Sequence, residues 1–142
     1  MSSELPRVLL AEESLPYRRV IREALTAFRH CEVDDAPTGE AAFGLALQRR
    51  YAVYLFSYEL PDMTGELLDR LLGMASPLVH QHTHTAPPII YLLKPDSAAG
   101  HWQRLSRNAR ARGHVMLPPR LDMLMNATST LLAPRDPTPP ML

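Results

Sequence analysis

The chain has one cysteine, Cys31, in 142 residues. No intrachain disulfide can form, and so sparing a use of thiols suits a reducing cytoplasm. No sign of charge dominates either. Fifteen basic and fifteen acidic residues cancel, and a chain without a net field does not recruit nucleic acid or an anionic membrane by charge alone. No apolar run approaches the roughly 18 residues of a membrane span, and Met1-Ser-Ser-Glu-Leu-Pro-Arg7 lacks the basic-then-apolar order of a signal peptide. Also missing are a glycine-rich phosphate cradle and a Gly-x-Ser-x-Gly elbow for a hydrolytic serine. These absences leave the expectation of one cytoplasmic domain, long enough to bury roughly 70% of its unfolded surface.

Five apolar segments alternate with helix-period stretches, the pattern of an α/β fold with a parallel sheet. Residues 7–11 read as the first strand. Ser14 caps a helix to about Arg29, with Pro16 in its first turn and Val20, Ile21, Ala24, Leu25 and Phe28 as one buried stripe. Residues 31–35 form a short polar strand at or near an edge. Thr38-Gly39-Glu40 opens a second helix, residues 52–56 are the third strand, and Gly65 leads into a helix carrying Leu67, Leu68, Leu71 and Leu72. The fourth strand spans 88–93, the fourth helix 97–112, the fifth strand 114–117 and the last helix 121–132. Residues 75–87 read as a surface loop from their proline and serine content. The expected domain covers 7–133, and the proline-rich residues 134–142 are expected to be disordered, with no further domain after them.

The end of the third strand carries the most specific signal. Tyr51-Ala-Val-Tyr-Leu-Phe-Ser57-Tyr-Glu-Leu-Pro61-Asp-Met-Thr-Gly65 is an apolar run, then a short polar residue, then a Leu-Pro loop closing on glycine. With Glu12-Glu13 after the first strand and Thr38-Gly39-Glu40 further on, this segment resembles the receiver domains of bacterial response regulators. The resemblance implies a doubly wound five-stranded parallel sheet in the order 2-1-3-4-5, with a site at the carboxyl ends of the strands. It further implies that an acidic pair and an acceptor Asp hold Mg²⁺ while the Asp takes a phosphoryl group. A Thr or Ser ending strand four and a Lys ending strand five then bind the phosphoryl oxygens.

Matched residue by residue, Glu12 and Glu13 fall on the acidic pair, Ser57 on the acceptor, Leu93 on the Thr/Ser and Pro118 on the Lys. Only the acidic pair keeps its character. Ser57 needs a base to act as a nucleophile and forms a stable ester where a carboxylate forms a labile acyl phosphate. Leu93 offers no hydroxyl, and Pro118 offers neither charge nor N–H. The expectation is a degenerate pocket without aspartyl phosphorylation, without a cofactor and without catalysis. Glu12, Glu13 and Glu59 remain weak metal candidates, against which Lys94, directly after Leu93, is expected to pair with one of them and take the cation's place.

Other constellations are weaker. His80, His82 and His84 alternate and share one side of an extended segment, but no Cys or carboxylate lies nearby to complete a metal site. Arg104, Arg107, Arg110 and Arg112 follow Trp102 in the fourth helix, either as a solvated basic face or as part of a contact surface. The resemblance implies that helix four, strand five and helix five form the partner surface, here centred on His101, Trp102, Arg104, Val115 and Leu117. The leading expectation is therefore a pseudo-receiver that binds a protein partner or itself in signal transduction or an assembly. An atypical regulator switched by a cation, a small molecule or phosphorylation elsewhere is the first alternative. Nucleic-acid binding through the arginine helix is the second.

Overall fold

Five strands, β1 (Arg7–Ala11), β2 (Glu32–Ala36), β3 (Val53–Ser57), β4 (Ile89–Leu93) and β5 (Ala111–Met116), pair in parallel in the order β2-β1-β3-β4-β5. The computed structural model describes residues 5–80, 86–96 and 98–136. β1, β3 and β4 are interior strands and read as almost unbroken apolar runs because both of their faces are covered. The register aligns Ala11 with Ala36 and Phe56, Ser57 with Leu92, and Leu93 with Met116, which brings the strand ends to one edge of the sheet.

Alternate strand residues feed two cores, as a period of two requires. Leu9, Tyr54, Phe56, Ile89, Tyr91 and Leu93 pack beneath α2 (Gly39–Gln48), α3 (Gly65–Val79) and α4 (Ala98–Leu105). Val8, Leu10, Val53, Leu55, Ile90, Leu92 and Val115 pack beneath α1 (Leu15–Phe28) and α5 (Leu121–Thr128). Ser14, Thr38 and Thr64 each accept a hydrogen bond from an N–H in the first turn of the helix they precede, at 3.3, 3.1 and 3.0 Å. These caps fix where α1, α2 and α3 start.

Several expected boundaries shift. In α1 only Ile21 and Leu25 are buried, and Val20 and Phe28 are exposed. Val20 lies about 100° around the helix from Ile21, and Phe28 sits in the last turn. α3 continues through Pro77 to Val79, so residues 75–79 are helical where a loop was expected. The His80 N–H bonds Ser76 O at 2.7 Å and the His80 ring bonds Ala46 O at 2.8 Å, which ties this end to α2. α4 ends at Leu105, because the Asn108 side chain accepts the Arg110 N–H at 3.0 Å and turns the chain into a β5 that starts at Ala111. α5 ends at Thr128, whose carbonyl accepts the N–H groups of Leu131 and Leu132 in a tighter turn. The expected disorder does not begin at 134: Pro134 bridges Arg29, and the Arg135 N–H bonds Phe28 O at 3.0 Å. Residues 137–142 lie outside the described residues.

Candidate functional site

At the carboxyl edge of the sheet, Glu12 follows β1 and is held by its N–H on Ala36 O at 3.0 Å. Its side chain turns inward and is only 3% exposed, and Ser57, the last residue of β3, is 2% exposed. The Ser57 hydroxyl donates to Glu12 Oε1, and the Ser14 N–H donates to Oε2 at 2.7 Å. Both carboxylate oxygens are thus engaged by the protein itself, as burial of a charged group requires. Glu13 points to solvent. Arg18, the nearby cation, spends Nη1 on the carbonyls of Glu12 and Glu13 and Nε on Asp35.

The loop after Ser57 is closed from within. Leu60 N–H bonds Met63 O at 3.1 Å, Gly65 N–H bonds Tyr58 O at 2.8 Å, and Glu59 bridges Thr64. A Cβ on Gly65 would collide with the carbonyl of Ser57, so only glycine lets α3 start this close to the strand end. Asp62 leaves the loop to cap α2, accepting the N–H groups of Gly39 at 2.8 Å and Glu40 at 2.9 Å. Desolvation works against the Asp62 carboxylate, but these backbone donors hold its pKa below the ordinary value.

Lys94 pairs with Glu59 at 3.6 Å, with both side chains about half exposed (51% and 50%). The expected pairing therefore forms with one of its three candidate partners. It does not form with Glu12 or Glu13, and a pair this open contributes little. Leu93 is fully buried in the core. Its carbonyl accepts the Leu117 N–H at 2.9 Å, so Leu117 is the residue laddered against the end of β4, and Pro118 lies beyond it, exposed. Neither residue at this strand end carries an ammonium: Leu117 is buried and apolar, and Pro118 has no side-chain charge. The donor set does not fit Mg²⁺: Glu12 is committed to Ser57 and Ser14, Glu13 points away, and Glu59 is paired. Among the described residues no three His, Cys, Asp or Glu side chains converge as a metal site requires. His80 is bonded to Ala46, and His82 and His84 lie outside the described residues.

The expected interface residues separate. Val115 and Leu117 are buried in the α1/α5 core and cannot present side chains to a partner. Trp102 is half-buried, packs on the opposite core and meets the His114 ring at 4.7 Å. Burial depresses the pKa of His114. His101 stacks on Tyr58 at 4.0 Å, and Arg104 bonds the Tyr58 hydroxyl and Glu66, both at 2.9 Å. Together these contacts clasp α4 to the residue directly after Ser57.

Sequence reasoning missed two features. Arg110 grips Asp69 through two hydrogen bonds of 2.7 and 3.1 Å and also bonds Pro87 O. It is therefore neither on α4 nor on a solvated basic face. Asp69, within Leu67-Leu68-Asp69-Arg70-Leu71-Leu72, was the available signal, since a carboxylate inside a leucine run needs a buried partner. Asp62 as a cap on another helix had no local signal at all.

The same architecture recurs in solved structures. The chemotaxis response regulator CheY4 of Vibrio cholerae superposes with a TM-score of 0.71 at 23% identity, over 90% of this chain and 99% of that one. The receiver domain of AraT from Geobacillus stearothermophilus gives 0.72 at 21% identity, over 89% and 92% of the two chains. The receiver domain of a putative LuxO repressor from Vibrio parahaemolyticus gives 0.71 at 17%, over 89% and 88%. The fold is that of response-regulator receiver domains. No family model and no curated protein matches the sequence. Among the described residues no helix is long and apolar enough to cross a membrane.

Proposed function

We propose that the protein is a pseudo-receiver: a receiver-fold module of signal transduction that binds a protein partner or another copy of itself without phosphoryl transfer at the end of β3. The observation that carries this reading is the closed set of bonds around Glu12. The hydroxyl at the acceptor position is spent on that carboxylate, whose second oxygen is spent on Ser14 N–H. Leu93 and Leu117 at the neighbouring strand ends are buried and apolar, so a phosphoryl group there would lack both a hydroxyl and an ammonium partner. The protein then acts as a binding module in the cytoplasm and not as an enzyme.

The partner surface implied by resemblance is the α4–β5–α5 face. With Val115 and Leu117 buried, His101, Arg104 and the exposed edge of Trp102 represent that face, together with Leu121. The nucleic-acid reading loses support, because Arg104 and Arg110 are ion-paired to Glu66 and Asp69. Intact-mass measurement after incubation with acetyl phosphate and Mg²⁺ tests the proposal. An unchanged mass is expected, and gain of one phosphoryl group would overturn it.

A further inference from the structure

α3 carries two apolar faces where a helix on the flank of a sheet needs one. Leu68 and Leu72 are buried against the sheet. Leu67, Leu71, Met74 and Leu78 form a second row with spacings of four, three and four residues, turned roughly a quarter-circle away from the first. Three of the four are exposed, Leu67 at 38%, Met74 at 70% and Leu78 at 78%, and Leu71 is partly buried. Between this row and α2 runs a groove of about 590 Å³, with Phe43 and Met63 as its opposite wall.

We infer that this α2–α3 face is the contact between two copies of the chain, with the Leu67/Leu71/Met74/Leu78 row of one α3 seated against the same row of the other. Three observations select a second copy as the occupant. A four-three-four row is the seam of a two-helix contact, and it is its own complement: under a twofold axis the side chains of one copy enter the gaps between the same residues of the other. The groove beside the row is walled by a second helix, so the partner's helix meets α2 as well as α3 and the pair closes as a four-helix arrangement. With Leu67 38%, Met74 70% and Leu78 78% exposed, the row doubled by symmetry and with the α2 wall added can remove at most on the order of 1,000 Å² from water, the lower limit of a specific interface. An interface of that size gives a reversible dimer.

The inference deepens the binding-module reading by naming one partner, and it does not depend on the chemistry at Ser57. Sedimentation of the full chain over a concentration series tests it. Wild type is expected to show a monomer–dimer equilibrium with a dissociation constant no weaker than tens of micromolar. Met74→Glu/Leu78→Glu is expected to weaken association at least tenfold with an unchanged circular dichroism spectrum and urea midpoint, since both side chains are mostly solvated. Leu121→Glu, on the α4–β5–α5 face, is expected to leave the equilibrium unchanged. A wild type that stays monomeric at several hundred micromolar, a double variant that associates as wild type does, or loss of the dimer in Leu121→Glu would each overturn the inference. Phosphoryl labelling of the same samples would count against the reading of the pocket and not against this surface.

Discussion

The Ser57 hydroxyl donates its hydrogen bond to the buried carboxylate of Glu12, and this contact joins the ends of β1 and β3. It stands where the resemblance places a metal-bridged acidic pocket, and it turns that pocket into an internal structural link.

Removing the donor has a stability cost. Ser57→Ala leaves a buried carboxylate oxygen without its partner and is expected to destabilise the fold by about 1–3 kcal/mol. Chemical denaturation measures this directly, and a change within error would show that solvent reaches Glu12.

Ser57→Asp sets a second carboxylate against Glu12. Two like charges in contact raise one pKa of the pair, so the variant is expected to be less stable than wild type at neutral pH and to recover part of the loss as pH falls. It is also expected to remain unlabelled by acetyl phosphate and Mg²⁺, because Leu93 and Leu117 still offer the phosphoryl oxygens no partner. Intact mass reads the labelling, and robust modification of this single variant would show that those two positions matter less than argued.

Asp69 is only 9% exposed at its side chain and is held by both Arg110 bonds. Asp69→Ala strands the guanidinium at the α3–β5 junction and is expected to cost about 3 kcal/mol. The double variant Asp69→Leu/Arg110→Leu is expected to recover much of that loss. Equilibrium unfolding of both distinguishes a buried pair from a surface one, for which neither variant would change stability by more than a few tenths.

The Asp62 cap predicts a pH dependence of defined sign. Its folded pKa lies below the unfolded value, so its contribution is present above the unfolded pKa of about 3.9 and is lost as pH falls through the folded value. Asp62→Ala is expected to cost about 1 kcal/mol at neutral pH and nothing once the carboxyl is protonated. Parallel wild-type and variant curves down to strong acid would contradict this.

Trp102, the single tryptophan, reports on its neighbour His114. With the His114 pKa depressed by burial, the stability gained from the neutral ring is complete above about pH 6.5 and is lost as pH falls through the lower folded value. Tryptophan fluorescence is expected to titrate with a midpoint below 6.5, and His114→Gln is expected to abolish the step. Because Trp102 packs on the core, Trp102→Ala is expected to cost about 2 kcal/mol in folding, where the sequence had placed it mainly at an interface.

The alternation of strands and helices and the Ser14 cap were legible because each rests on local information: unbroken apolar runs of strand length, and a Ser just before a helical period. The strand order came from the resemblance, and the Thr64 cap was not foreseen. The ends of α3, α4 and α5 were not legible either. Pro77 looked like a helix stop but is accommodated inside α3, and Asn108 sat unnoticed in an arginine-rich stretch that kept a helical rhythm. The acidic pair, Ser57 and Leu93 do lie at the carboxyl edge of the sheet, where the match to the receiver pattern put them. What spacing could not give was direction: Glu12 turns inward to Ser57 while Glu13 turns out, a choice set by the Ala36 and Ser14 backbone.

The proposal that the β3 end does not respond to phosphate is tested most directly by residue-resolved amide NMR of the full chain. Spectra recorded before and after addition of Mg²⁺ and acetyl phosphate are predicted to superimpose at Glu12, Ser57, Tyr58, Leu93 and Lys94. Progressive shifts of those amides, spreading to His101 and Arg104 on α4, would contradict the account and restore a switchable receiver.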